Sequence, residues 1–354
     1  MKLFTFLLGI LIIGPAQSSG FDVQQIADGV YAAVRREPPT LTLNANSVFI
    51  VNEEDVVVVD TSLTPTSAQE LIRAIRAVTT KPVRTVVNTH AHDDHISGNA
   101  AFKAVWPGIE FIAHARTAEY LPGAGLANRK AALAPGGYPQ FIEALKKRLA
   151  SRISVHGGAL DDSEQAAYAA ALQIAEGFVA AHAQGVEIVL PTRTVEDKLR
   201  ITSGKRVIDL LYLGMGHTSG DLVIHLPAEG IVVAGDLVVA PVPYVGSPQS
   251  HPADWSRSLD KLAALKPKLV IPGHGPVLQG DAHVRTLAAL FASVARQVAA
   301  AVARGETQEQ AAKAVQLNEF ERELAGNSRM LKLIFNAYVR GPAVQSAWLD
   351  AQVK

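Results

Sequence analysis

Residues 90 to 95 read His90-Ala91-His92-Asp93-Asp94-His95, three imidazoles and two carboxylates in six positions. These are the side chains that hold zinc or iron in water-facing sites. An extended segment puts residues 90 and 92 on one side and leaves 94 and 95 for a second position, so two neighbouring cations could share the stretch. A helix would put 90 and 92 on different faces. Each zinc takes about four ligands, one position being left to water, so further donors must come from elsewhere. His217 in Gly216-His217-Thr218-Ser219-Gly220-Asp221, Asp236 in Gly235-Asp236 and His274 in Pro272-Gly273-His274-Gly275 are the natural suppliers. Each lies beside glycine, which allows tight turns and close backbone approach. Upstream, Asp60 closes a run of four valines.

Positioning these groups falls to strands. Residues 29–36, 47–51 and 55–60 read as strands, the last two joined by an Asn-Glu-Glu turn. Ser67 with Glu70 has the spacing of a capping box. Ala68, Leu71, Ile72, Ile75 and Val78 then follow helical spacing until Pro82. Val83 to Asn88 is a short buried strand, and the histidine cluster follows on the loop at its C-terminal end, where ligand sites of α/β proteins gather. Strands over 208–213, 222–226 and 231–234 repeat the theme, and Leu269 to Ile271 is a last one. The polar residues are therefore expected on loops after strands.

Residues 115–190 break the alternation. They are alanine-rich, with helices expected near 139–150 and 162–182, and read as a helical insertion that is either a lid or a plain surface elaboration. Residues 281–354 read as a C-terminal helical extension, Thr307 to Gln310 supplying a capping box. The main domain then runs over 19–280.

Composition narrows the function classes. Apolar residues are 48% of the 354 and charged ones 19%, enough for a large core. Lys plus Arg equals Asp plus Glu at 33 each, which disfavours nucleic acid and anionic membrane surfaces as partners. Lys2, the apolar run Leu3 to Ile13 and the small residues after Pro15 have the form of a signal peptide over 1–18. The expected location is periplasmic or secreted, with no stable membrane insertion once the peptide is removed. There is no cysteine, hence no disulfide, thiolate ligand or cysteine nucleophile.

The strand-end Asp, His-x-His-x-Asp-His, Gly-His-Thr, Gly-Asp and Pro-Gly-His-Gly, in that order, resemble the metallo-β-lactamase superfamily over residues 29 to 277. The resemblance implies an α/β fold, an αβ/βα four-layer sandwich of two mixed β-sheets with outer helices and a two-metal cleft at its edge. It implies that His90, His92 and His217 hold one Zn2+ and that Asp94, His95 and His274 hold the other. Asp236 would bridge them together with a hydroxide, and Asp60 would support the site's loops. Asp93 matches a variable position. Thr218 and Asp221 are candidates for support of a ligand or simply of their own loop. Among the other histidines, His225 and His182 read as packing or surface, His283 as solvated, His114 as able to approach the cleft, and His156 and His251 as loop residues near substrate.

Such a site would hydrolyse an ester, thioester, amide or lactam of a small molecule, two cations activating a shared water, with Asp94 orienting it or passing its proton on. In the superfamily's true β-lactamases the place of Asp236 usually holds Cys or Ser; Asp is the glyoxalase II-like form. Periplasmic β-lactamase activity and an oxidative enzyme using Fe in the same ligands stand as alternatives, with Mn as another metal. Iron-reducing members usually replace a motif His by Glu, whereas His92 is retained. Tyr244, on the loop leading from Asp236, is a candidate substrate contact.

Overall fold

The computed structural model describes residues 20–352 other than 39, 156, 247 and 248. The expected signal peptide and His156 lie outside these residues. Two sheets form the centre. The first runs β1 (Phe21–Ala27), β2 (Val30–Arg35), β3 (Ser47–Val51), β4 (Val56–Val59), β5 (Val83–Val87), β6 (Glu110–His114) and β7 (Arg193–Val195) in spatial order. It is antiparallel up to β4 and parallel from there. The second holds β8 (Lys198–Ser203), β9 (Arg206–Tyr212), β10 (Leu222–Leu226), β11 (Ile231–Val239), β12 (Leu269–His274) and β13 (Leu278–Gln279), ordered β13-β12-β11-β10-β9-β8. Its β11–β12 pair alone is parallel.

Side-chain alternation explains why four valines can follow one another in β4. Val57 and Val59 face the second sheet, where Ile208, Leu210, Leu222, Ile224 and Ile271 meet them. Val56 and Val58 face outward onto Leu71, Ile72 and Ile75 of the helix Pro65–Val78. On the outer face of the second sheet, Trp255 and Leu259 of the helix Pro252–Ala264 pack with Leu287, Phe291 and Val294 of Ala282–Ala303. Helices thus cover both outer faces, giving a four-layer sandwich. Ala282–Ala303 is apolar enough to cross a membrane by length and composition, but here its apolar face is core.

Local details depart from the sequence reading. The capping box is Thr64 with Ser67, because Pro65 starts the helix three residues earlier than the Ser67–Glu70 pairing requires. Glu70 instead accepts from the Gly20 amide at 3.1 Å. Asp236 and His274 lie inside β11 and β12 rather than on loops after them, since the parallel pairing continues with irregular register to Val239↔His274. The ligand stretch is not one extended run: it bends over residues 89–91, is extended at His92, and Asp93–Ile96 is a helical turn that carries Asp94 and His95.

Between β6 and β7 stand the helices Ala115–Tyr120, Leu126–Leu133, Tyr138–Ser151 and Asp162–Ala183, with a π-helical turn at Leu121–Gly125. Leu145, Tyr168 and Ala171 of this segment join the hydrophobic cluster that holds the C-terminal helices. Buried Glu164 pairs with Arg329 at 2.7 Å across the same junction. Because Leu210 is fully buried between the sheets, Leu210→Ala is expected to cost about 2–5 kcal/mol through the cavity it leaves. Urea unfolding checks this, as a lower midpoint at unchanged slope.

Candidate metal centre

Five histidines and two aspartates converge at one edge of the sandwich, on strands and on the loops and one helical turn that follow them. His90 and His92 follow β5, His217 lies between β9 and β10, Asp236 is in β11 and His274 ends β12. Donor atoms of His90, His92, His217 and Asp236 lie within 4.8 Å of one another, as do those of Asp94, His95 and His274. Asp236 reaches both groups: its Oδ2 is 3.5 Å from His217 Nε2 and 3.4 Å from His274 Nε2, and its Oδ1 is 3.3 Å from His95 Nε2. Asp94 Oδ2 lies 3.3 Å from His95 Nε2 and 3.1 Å from His274 Nε2. These are the positions the sequence resemblance assigns to ligands, in the same two groups.

The outer nitrogen of every imidazole faces an oxygen that fixes its tautomer. His217 Nδ1 meets the Tyr244 carbonyl at 3.0 Å and His274 Nδ1 the Asn44 carbonyl at 2.9 Å. His95 Nδ1 lies 2.7 Å from Asp60 Oδ2. Asp60 also accepts from Thr89 Oγ1 at 2.7 Å, which leaves the hydroxyl oxygen as acceptor for His90 Nδ1 at 3.2 Å. His92 is reversed: its Nε2 faces Gln249 Oε1 at 3.1 Å and its Nδ1 points inward, 3.0 Å from both His90 Nε2 and His217 Nε2. A proton on each outer nitrogen leaves five lone pairs facing inward. Three imidazole lone pairs at 3.0 Å have nothing to share among themselves, and a cation satisfies all three. His95 Nε2 and Asp236 Oδ1 add a second sign, both buried without a hydrogen-bond partner among the described residues. The donor set therefore fits divalent cations, with only nitrogen and oxygen donors.

Charge reinforces this. Burial pushes the His217 imidazole down to about 3, and burial with neighbouring histidines lowers His90 well below its usual range. Both are neutral ligands at neutral pH. Burial works against charge at His95 and His274 too, but the facing carboxylates overcome it: Asp94, Asp60 and Asp236 raise His95, and Asp236 and Asp94 raise His274 to about 10. The same pairing holds Asp94 and Asp236 far below the ordinary carboxylate range against the opposing effect of burial. A bound divalent cation would compete with protons for these same nitrogens.

Two glycines are required by space. A Cβ on Gly273 would fall onto Asp236 Oδ1, and Gly235, at φ +52°, would bring one against the Thr89 side chain. Asp60 itself has φ +58°, in the left-handed region that Asp and Asn tolerate best.

The remaining candidates take other places. Asp93, whose position the motif leaves variable, pairs with Arg129 of the insertion, which also donates to Ser97 Oγ at 3.2 Å. Asp221 accepts from the Thr218 amide and hydroxyl and so stabilises its own loop. His114 does not approach the centre: it stacks on Tyr212 and its Nε2 meets the Glu196 carbonyl. His283 is not solvated but partly buried, its Nε2 3.0 Å from the Val239 carbonyl. His182 packs on Phe178, and His225 stays half-buried in β10. His251 sits between Ser219 Oγ and Asp350. Gln249 was not legible as a ligand's partner. Its loop was the only signal, and the structure places it on His92.

A cavity of about 420 Å3 opens above His92 and Asp94. Tyr120, Tyr138 and Phe178 of the insertion, Tyr244 and C-terminal Tyr338 wall it. The insertion thus roofs the centre. Asp60→Asn keeps the backbone conformation but loses an acceptor for His95 or Thr89. It is expected to weaken zinc affinity about 10–100-fold, read by competition with a chromogenic chelator.

Comparison with known proteins agrees with this geometry. The model of the metallo-beta-lactamase superfamily matches residues 41–274. The linear primary-alkylsulfatase of Pseudomonas sp. (strain ATCC 19151) is 25% identical over 232 residues, 64% of this chain and 40% of that protein, so the chain spans well under half of that relative's length. Among solved structures, the stereoselective inverting sec-alkylsulfatase Pisa1 from Pseudomonas sp. superposes with TM-score 0.62 at 14% identity, covering 93% of this chain and 50% of that one. A metallo-beta-lactamase from Pontibacter korlensis gives 0.51 at 18%, covering 76% and 99%. With its two mixed sheets and its His/Asp clusters, the chain belongs to the metallo-β-lactamase superfamily of hydrolases.

Proposed function

We propose that the chain is a dinuclear, zinc-dependent hydrolase that cleaves an ester-type bond of a small molecule carrying an apolar or aromatic group. The observation that carries this is the convergence of five inward imidazole lone pairs and two carboxylates on the floor of a cavity walled by aromatic rings. When bound, the cations would supply a Lewis acid for the scissile bond and a water acidic enough to attack at neutral pH.

The chain's own groups do the rest. Asp94 lines the cavity and is held ionised by His95 and His274 despite burial. It is the carboxylate placed to accept the proton of the attacking water. Asp93 lines the cavity too, but Arg129 neutralises it. Burial raises the Tyr138, Tyr244 and Tyr338 hydroxyls, so they remain neutral donors for substrate oxygens.

A second reading, sulfate-ester hydrolysis of an alkyl alcohol, is favoured by one observation. The alkylsulfatase likeness takes in 93% of the chain, against 76% for the lactamase. Dedicated β-lactam hydrolysis is disfavoured by Asp236 at the place where the resemblance implies Cys or Ser.

Zinc-loaded protein assayed on 4-nitrophenyl acetate, octyl sulfate, a chromogenic cephalosporin and a phosphodiester separates these readings. Ester turnover is expected, reduced about 10²–10⁴-fold in Asp94→Asn; activity confined to the phosphodiester would overturn the proposal. Export is part of the same reading. Expression in a Gram-negative host is expected to yield a mature chain lacking about the first 18 residues, read by intact mass of the periplasmic fraction.

A further inference from the structure

Of Asp94, His95 and His274, only His274 belongs to the second sheet. Its place relative to the other two therefore depends on how the two sheets are joined beside it. The strand β12 ends in a tight turn. Gly275 has φ +97°, and a Cβ there would press on the Ala240 carbonyl. The carbonyls of such a buried turn need donors from elsewhere.

One residue of the first sheet's side supplies them. Asn46 stands between β2 and β3 and is 5% exposed. Its backbone N–H donates to the Gly273 carbonyl at 2.7 Å. Its Nδ2 donates to the Pro272 carbonyl at 3.0 Å and to the Gly275 carbonyl at 2.8 Å. Its Oδ1 accepts from the backbone N–H of Arg35, the last residue of β2, at 3.0 Å. That bond fixes which end of the amide faces the turn. A flipped amide would set an oxygen against two carbonyls and an N–H against an N–H. Two residues earlier, the Asn44 carbonyl accepts from His274 Nδ1 at 2.9 Å. Residues 44–46 thus grip the whole 272–275 turn, and the grip joins the end of β2 to the end of β12. None of these hydrogen bonds involves His90, His92 or His217.

We propose that Asn46 is a positioning residue whose amide sets the place of His274. It thereby governs how tightly the Asp94, His95 and His274 group holds its cation, and leaves the His90, His92 and His217 group unaffected. The two halves of the centre are then separable by a change at one buried amide. This goes beyond the hydrolase reading and rests on its two-cation part.

Metal-free wild type, Asn46→Asp, Asn46→Ala and Asn52→Ala are titrated with zinc in competition with a chromogenic chelator. Aspartate keeps the shape of Asn46 but has no N–H to give the turn. Asn52, as buried as Asn46 and just past the other end of β3, measures what loss of a buried amide does to the fold alone. In both Asn46 variants one binding step is expected to weaken at least about tenfold while the other stays within about twofold. Asn52→Ala is expected to lower the unfolding temperature and leave both steps in place. Unchanged steps in the Asn46 variants, equal losses at both steps, or the same loss in Asn52→Ala would each overturn the proposal. If Asn46→Asp does not fold, Asn46→Ala decides. If wild type takes up fewer than two zinc ions, the two-cation reading is what has failed. The place of His274 is then read without metal, by NMR exchange of its Nδ1 proton with solvent. Exchange at least about tenfold faster in Asn46→Ala is expected, and equal exchange overturns the proposal.

Discussion

The structure rests on the arrangement of the outer nitrogens of five buried or half-buried imidazoles. Buried polar groups are tolerated when hydrogen-bonded and costly when not. Each ring here meets an oxygen on its outer side: Asp60, Thr89, the carbonyls of Tyr244 and Asn44, and the Gln249 amide. That fixes which nitrogen turns inward, and so creates the electron-rich pocket. If one of these oxygens is removed, a ring can reverse its tautomer and present a proton where a lone pair is needed.

The sandwich serves this requirement. Its two sheets meet through interleaved aliphatic side chains, Val57 and Val59 against Leu210 and Ile224 among them. The strand ends are thereby held at fixed separation, and Gly235 and Gly273 let the backbones of β11 and β12 approach Thr89 and Asp236 closely. Dense packing transmits such constraints because interiors yield little. The roof is a separate construction. It is built by the insertion and the C-terminal helices, and it touches the floor through polar ties at Asp93–Arg129 and Gln249–Tyr120.

Much of the sandwich and the seven donors were readable from the chain, because alternation and donor spacing are local properties. The valine run of β4, the helix after it and the cluster at 90–95 each declare themselves within a few residues. What stayed hidden was non-local or backbone-borne. Two of the five orienting acceptors are carbonyl oxygens, and a carbonyl has no residue signature. The Ser67–Glu70 pairing looked like a cap, but Pro65 at the first turn fixes the start earlier, at Thr64. Asp236 was expected on a loop because the apolar run stops at Ala234, yet parallel pairing with β12 carries the strand past it. His283 looked solvated on its helix; only the fold brings the Val239 carbonyl over it. Whether residues 115–190 were lid or ornament depended on which way Tyr138 and Phe178 point, which composition does not encode.

The chain contains no cysteine, and every donor at the centre is an imidazole nitrogen or a carboxylate oxygen. None of these atoms climbs the sulfur oxidation ladder, so peroxide and disulfide stress have no sulfur to attack at the centre. The same chemistry sets its weakness. Imidazole-rich sites hold Cu2+ more tightly than Zn2+, and no sulfur donor stands among these candidates to oppose that order. A centre built on such donors would leave the choice among divalent cations to their supply around the protein.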